Sequence, residues 1–173
     1  PQKNPNSYQP LAGLCGIVMP ETHLHQIQFP QMKNALHSSN KGKKKLCILN
    51  SKGVSDSDAS AGTMVVSQLP LTVLNCFEEH SLTISARLQS FYVFVQPHVP
   101  WRGSVIYGIP KGVNHPNSDS FTEEILEAWY SGQEGGHPNR PSFLAGDFNR
   151  DPTKSPTIQK IQAKGWVDVA EFF

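Results

Sequence analysis

The stretch Ser142-Phe143-Leu144-Ala145-Gly146-Asp147-Phe148-Asn149-Arg150-Asp151-Pro152 is a short apolar run that turns polar where Gly and Pro mark its end. Side chains alternate along an extended segment, which predicts Asp147 and Asn149 on one side and Phe148 on the other, toward the core. A carboxylate and an amide then share a rigid support. Such a pair suits phosphoryl transfer: the carboxylate can hold a hard cation or take a proton from water, and the amide can donate to an oxygen gaining negative charge. The same residues also suit a plain strand stop, since Gly, Asp and Asn are frequent in turns.

Working outward, the 173 residues amount to one domain with enough chain to bury a sizeable core. With 38% hydrophobic and 17% charged residues, 14 Pro and 13 Gly, the composition is that of a soluble, loop-rich globular protein. No apolar run is long enough to span a bilayer, so no membrane partner is expected. A net charge of +1 and a pI near 8.2 permit nucleic acid without demanding it. Cys15, Cys47 and Cys76 lie in or beside apolar runs and read as buried free thiols, without the spacing of a zinc site or disulfide framework. His23 and His25 are the closest His pair and read as solvated positions. An intracellular setting, nuclear or cytoplasmic, is expected.

Along the chain, residues 1–10 form a polar, Pro-rich lead-in expected to be loosely ordered. Leu14 to Met19 has strand length and runs into Pro20 and Glu21. Glu21 also suits a helix start, where a carboxylate complements the dipole. Leu24, Ile27, Met32 and Leu36 recur at helical intervals, although Pro30 argues against one unbroken helix. Lys41-Gly42-Lys43-Lys44-Lys45 reads as a solvated turn, or as a phosphate-backbone contact that would weaken with salt. Leu46–Leu49, Thr63–Ser67, Leu71–Leu74, Leu82–Leu88 and Phe91–Val95 read as strands with short links, hence antiparallel pairing, and Ser51–Ala61 as a flexible loop. Ser104–Tyr107 is a further strand. A helix follows from the caps Ser118, Asp119 and Ser120, with Phe121, Ile125, Leu126 and Trp129 on one face and Gly132, Gly135 and Gly136 as its stop. Lys154 to Lys164 holds Ile158 and Ile161 at helical spacing before Gly165, and Trp166–Val169 starts an extended segment.

Three words stand at three of these strand ends: Pro20-Glu21-Thr22-His23-Leu24, Tyr107-Gly108-Ile109-Pro110 and Gly146-Asp147-Phe148-Asn149. In this order they resemble the motifs of the endonuclease/exonuclease/phosphatase superfamily, the DNase I-like metal-dependent phosphodiesterases, in the style of retroelement-type endonucleases. The resemblance implies an α+β fold: a DNase I-like four-layer sandwich of two mainly antiparallel β-sheets flanked by helices. It implies that Glu21 binds Mg²⁺ or Mn²⁺ with Asp147 close by, and that Tyr107 positions the scissile phosphate. Asp147 would orient or deprotonate water, and Asn149 would stabilise the transition state. Lys111 and Arg150 flank the words and are candidate phosphate contacts, with solvated surface charge as the alternative for each. The implied partner is nucleic acid, DNA ahead of RNA, in a protein fused to a reverse transcriptase.

Three departures qualify the resemblance. Pro20 stands where the family has Gln; the family's Asn on a strand well before the Glu word has only Asn4 and Asn6 here, in a Pro-rich segment too close to Glu21; and no His follows Asp147, although the family has an Asp-His pair near its C-terminus. With abrupt ends at Pro1 and Phe173, the expectation is a single domain over 1–173 that is partial at both ends and weak or inactive alone. A lipid or inositol phosphate phosphatase of the same fold, and a degenerate binding module, are the alternative readings.

Overall fold

The computed structural model describes residues 16–22, 28–40, 46–51, 62–74, 86–96, 99–111, 116–134 and 140–169. The lead-in at 1–10, Cys15 and Cys76, His23 and His25, the Lys41 to Lys45 run, the 52–61 loop, residues 82–85, and Gly135 and Gly136 lie outside them.

Among the described residues, seven strands form two sheets. β1 (Gly16–Met19) and β2 (Cys47–Asn50) flank β3 (Met64–Ser67), both antiparallel to it, with Met19 and Asn50 opposite Met64. The second sheet has the order β4 (Leu71–Leu74), β5 (Leu88–Gln96), β6 (Val99–Tyr107), β7 (Ser142–Asp147). β4, β5 and β6 pair antiparallel, with a register shift between Phe94 and Gln96. β6 and β7 pair parallel, with Tyr107 opposite Asp147. A parallel pair needs a crossover, and the helix between these strands supplies it.

That helix, α2 (Ser118–Glu134), follows α1 (Phe29–Ser39) and precedes a 3₁₀ turn (Pro152–Lys154) and α3 (Pro156–Ala163). Pro30 sits in the first turn of α1, where its missing N–H costs no helical bond, so the helix begins at the proline and is not broken by it. Gly132 does not stop α2, which continues to Glu134. α3 is capped by Ser155, whose hydroxyl accepts from Ile158 N, with Pro156 in the first turn. Among the described residues no helix is long and apolar enough to cross a membrane.

Strand alternation sends apolar residues to two cores. On one face of the larger sheet, Leu88 and Ile106 pack with Ile109, Ile125, Leu126, Trp129 and Ile161 from the helical side. On the other, Val105, Phe91 and Val93 meet Val65 of the smaller sheet. The expected α+β architecture of two packed sheets with helices is therefore present. One expected strand differs. Ala86 and Arg87 lie in a helical turn, so β5 begins only at Leu88 and runs unbroken through Phe91–Val95. Trp166–Val169 pairs with no strand among the described residues; Trp166 instead packs edge-on against Trp129, ring centroids 5.2 Å apart. Cys47 is a free, half-buried thiol, more exposed than the sequence suggests.

Trp129 is 1% exposed at the centre of the helical core, whereas Phe121 on the same helix is 43% exposed. Trp129→Ala is expected to cost about 3–5 kcal/mol of stability, and Phe121→Ala under about 1 kcal/mol, as read from urea midpoints at unchanged slope.

Candidate active site

The parallel ends of β6 and β7 bring two of the three sequence words together. Tyr107 and Asp147 are register partners, and Gly108 N donates to Asp147 O at 2.7 Å. This close approach requires glycine twice. A Cβ on Gly108 would lie 2.0 Å from Phe148 O, and one on Gly146, at φ +154°, would lie 1.9 Å from Ile106 O. The glycines of both words are thus dictated by backbone contact.

Past Asp147 the chain does not stay extended. Asn149 has φ 50°, a left-handed conformation that Asn tolerates better than most residues. Its N–H donates to Asp147 Oδ1 at 2.9 Å, and its Nδ2 donates to Gly108 O at 2.9 Å. Asp147 and Asn149 are therefore joined by a tight turn, and not by alternation along a strand. Phe148 does pack against the helical core, as the alternation predicted. Strand stop and candidate site coincide in the same residues.

The third word joins through Tyr107. Its phenol, on a residue only 3% exposed, faces the Glu21 carboxylate and the Asn149 amide. Burial, followed by the nearby Glu21 carboxylate, raises its pKa from 10.0 to about 12, against the opposing pull of Arg87 and Asn149. Tyr107 is thus a neutral hydrogen-bond donor at physiological pH. Glu21 is half-buried, and its loop is held by Thr22 N donating to Gly62 O at 3.1 Å. Of the Pro20–Leu24 word, His23 and Leu24 lie outside the described residues.

Two residues that the motifs do not name complete the arrangement. Arg87 lies with its guanidinium carbon 4.9 Å from the Tyr107 ring centroid, and its Nη1 is 3.4 Å from Gly108 O. Ser51, 7% exposed, donates to Ala86 O at 2.8 Å and accepts from Thr63 N at 2.7 Å, tying the Arg87 turn to the smaller sheet. The apolar alternation around Arg87 disguised it as an ordinary outward polar position.

The flanking cations fall into different settings. Lys111 is well exposed, its Nζ 3.3 Å from Asp119. Arg150 is not the solvated surface charge that the sequence suggests, since its side chain is only 9% exposed. Nη1 donates to Glu123 Oε2 at 2.6 Å and to Asp119 O at 2.9 Å, and Nη2 donates to Lys154 O at 2.9 Å. Glu123 also accepts from Ser155 Oγ and Thr157 N, at 2.8 and 2.7 Å. This carboxylate clamps the turn after Asn149 and the start of α3 onto α2.

Among solved structures, the chain is similar to an AP endonuclease from Archaeoglobus fulgidus, with a TM-score of 0.60 and 17% identity. The match covers 91% of this chain and 63% of that one. No protein-family model and no curated protein sequence matches it. At this identity the likeness establishes the fold, which is DNase I-like, and fold alone does not carry an activity.

Two outcomes follow from the geometry. Tyr107 should ionise near pH 12 in an ultraviolet difference titration, and Glu21→Gln should lower that value, with burial still holding it above 10.0. Because its folded pKa lies above the unfolded value, its stabilising contribution is complete below pH 10.0 and is lost as pH rises through about 12. Tyr107→Phe should remove that alkaline slope. Glu123→Ala leaves the Arg150 guanidinium buried without its carboxylate and should cost about 3 kcal/mol in chemical denaturation.

Proposed function

We propose that this chain is part of a divalent-metal-dependent phosphodiester hydrolase, acting on DNA as an endonuclease. The observation that carries the reading is the convergence of Glu21, Tyr107, Asp147 and Asn149 at one edge of the fold through Tyr107. Each of the three sequence words contributes to it. The similar fold of the Archaeoglobus fulgidus protein, an AP endonuclease, is consistent with this reading. The retroelement setting and the fusion to a reverse transcriptase rest on the motif wording alone.

The donor set fits a hard cation. Among the described residues no three His, Cys, Asp or Glu side chains gather, but Mg²⁺ commonly takes only one or two carboxylates and fills its other positions with water and phosphate oxygen. Glu21 and Asp147 are the residues that would hold Mg²⁺ or Mn²⁺. Bound there, the ion would supply charge neutralisation for the phosphate.

The chain's own residues do the rest. Asp147 Oδ1 is fixed by Asn149 N–H, which leaves Oδ2 to orient a water and take its proton. The water oxygen forms the new P–O bond while the bond to the leaving sugar oxygen breaks, and that oxygen is protonated. Asn149 Nδ2, held at Gly108 O, has a second N–H for the developing charge. The neutral Tyr107 phenol donates to a non-bridging phosphate oxygen. Lys111, exposed beside the Tyr107 word, contacts a flanking phosphate, and Arg150 braces the turn that presents Asn149.

The test is nicking of supercoiled plasmid by the full-length parent protein with Mg²⁺ or Mn²⁺, alongside inositol phosphates and sphingomyelin. Asp147→Ala and Glu21→Ala are expected to lower nicking at least ~100-fold, and chelation to abolish it. Unchanged nicking in both variants, or turnover of the lipid or inositol substrates with none of DNA, would overturn the assignment.

A further inference from the structure

We infer that Arg87 is a positioning residue of this site, acting through the Tyr107 ring and the Gly108 carbonyl that its guanidinium meets. Only the kinetic part of the inference rests on the proposed hydrolysis. β5 runs antiparallel to β6 with Leu88 opposite Ile106, so the residue before β5 falls beside the end of β6. Arg87, 6% exposed, is therefore level with Tyr107. Its guanidinium carbon stands 4.9 Å from the ring centroid, within the range of a cation–π contact.

The same guanidinium reaches Gly108 O, with Nη1 at 3.4 Å, and that carbonyl also accepts Asn149 Nδ2 at 2.9 Å. One planar cation thus braces the ring that carries the phenol and the oxygen that anchors the amide. Its own turn is pinned by Ser51 Oγ donating to Ala86 O. A lysine ammonium keeps the charge but cannot reproduce the planar stacking and forked donation.

Arg87→Met and Arg87→Lys in the full-length protein provide the test, with folding checked by circular dichroism. With fluorotyrosine incorporated, fluorine NMR at neutral pH reads the Tyr107 resonance directly. In Arg87→Met that resonance should shift, because the ring loses the guanidinium held against it. Arg87→Lys should fall between Arg87→Met and the unsubstituted protein. On plasmid DNA, kcat should fall ~10-fold or more in Arg87→Met with KM little changed, and less in Arg87→Lys.

A Tyr107 resonance unchanged in a folded Arg87→Met protein would overturn the inference, even if the melting temperature dropped. A full-length protein that cleaves no phosphodiester would sink the proposed activity, while the NMR shift still decides the role of Arg87.

Discussion

The hydrogen bond from Gly108 N to Asp147 O, 2.7 Å long at the end of the only parallel strand pair among the described residues, is the contact on which the candidate site depends. It holds two strand ends from opposite sides of a helical crossover so close that neither Gly108 nor Gly146 could carry a Cβ. That closeness lets Asn149, turned back at φ 50°, reach Gly108 O with its side chain. A looser strand pair would leave the Asn149 amide without Gly108 O as its anchor. Backbone packing thus sets the frame in which the side-chain hydrogen bonds of Asp147 and Asn149 form.

The other half of the arrangement comes from the smaller sheet. Thr22 N meets Gly62 O, Ser51 N meets Thr63 O, and the Ser51 hydroxyl bridges Thr63 N and Ala86 O. The bonds to Gly62 and Thr63 extend the smaller sheet past its strand ends, and the one to Ala86 O crosses to the larger sheet, so that together they join the Glu21 loop to the Arg87 turn. Each satisfies a backbone group that would otherwise be costly at a buried sheet end. The polar seam thus explains how strands of only four residues, β1 and β3, hold Glu21 in place beside Tyr107.

Much of this was legible in the sequence, for identifiable reasons. Short apolar runs marked β1, β2, β3, β4 and β7, with Pro closing β1 and Gly and Pro at the end of β7, because strand length and turn chemistry are local properties. The fold class followed from those runs and from the motif words, and the likeness to a solved structure agrees with it. Local pattern failed at residues 86–87, where apolar alternation continued into a helical turn whose conformation is set by distant bonds from Ser51. It failed again at Arg150, since an Arg beside turn residues reads as solvated until Glu123, 27 positions earlier, is brought across by the crossover helix. Arg87 went unnoticed for the same reason: its partners are close in space but distant in sequence. The Asp147–Asn149 pairing was expected, but its cause was not, because a left-handed residue at a strand end is invisible to a period-two pattern.

The charge balance around Tyr107 ties these parts together. A buried phenol beside a carboxylate keeps its proton, and the value near 12 reflects burial and Glu21 outweighing Arg87 and Asn149. The hydroxyl therefore has a single proton to place, and Glu21 is its partner when nothing else is bound. In the proposed reaction an anionic phosphate oxygen competes for that proton, and whatever engages the Glu21 carboxylate releases the phenol toward the phosphate. The residues opposing Glu21 are the ones held through Gly108 O, so the same carbonyl that positions Asn149 and Arg87 also sets how readily Tyr107 can change partners. Geometry and proton affinity at this site are two consequences of one backbone contact.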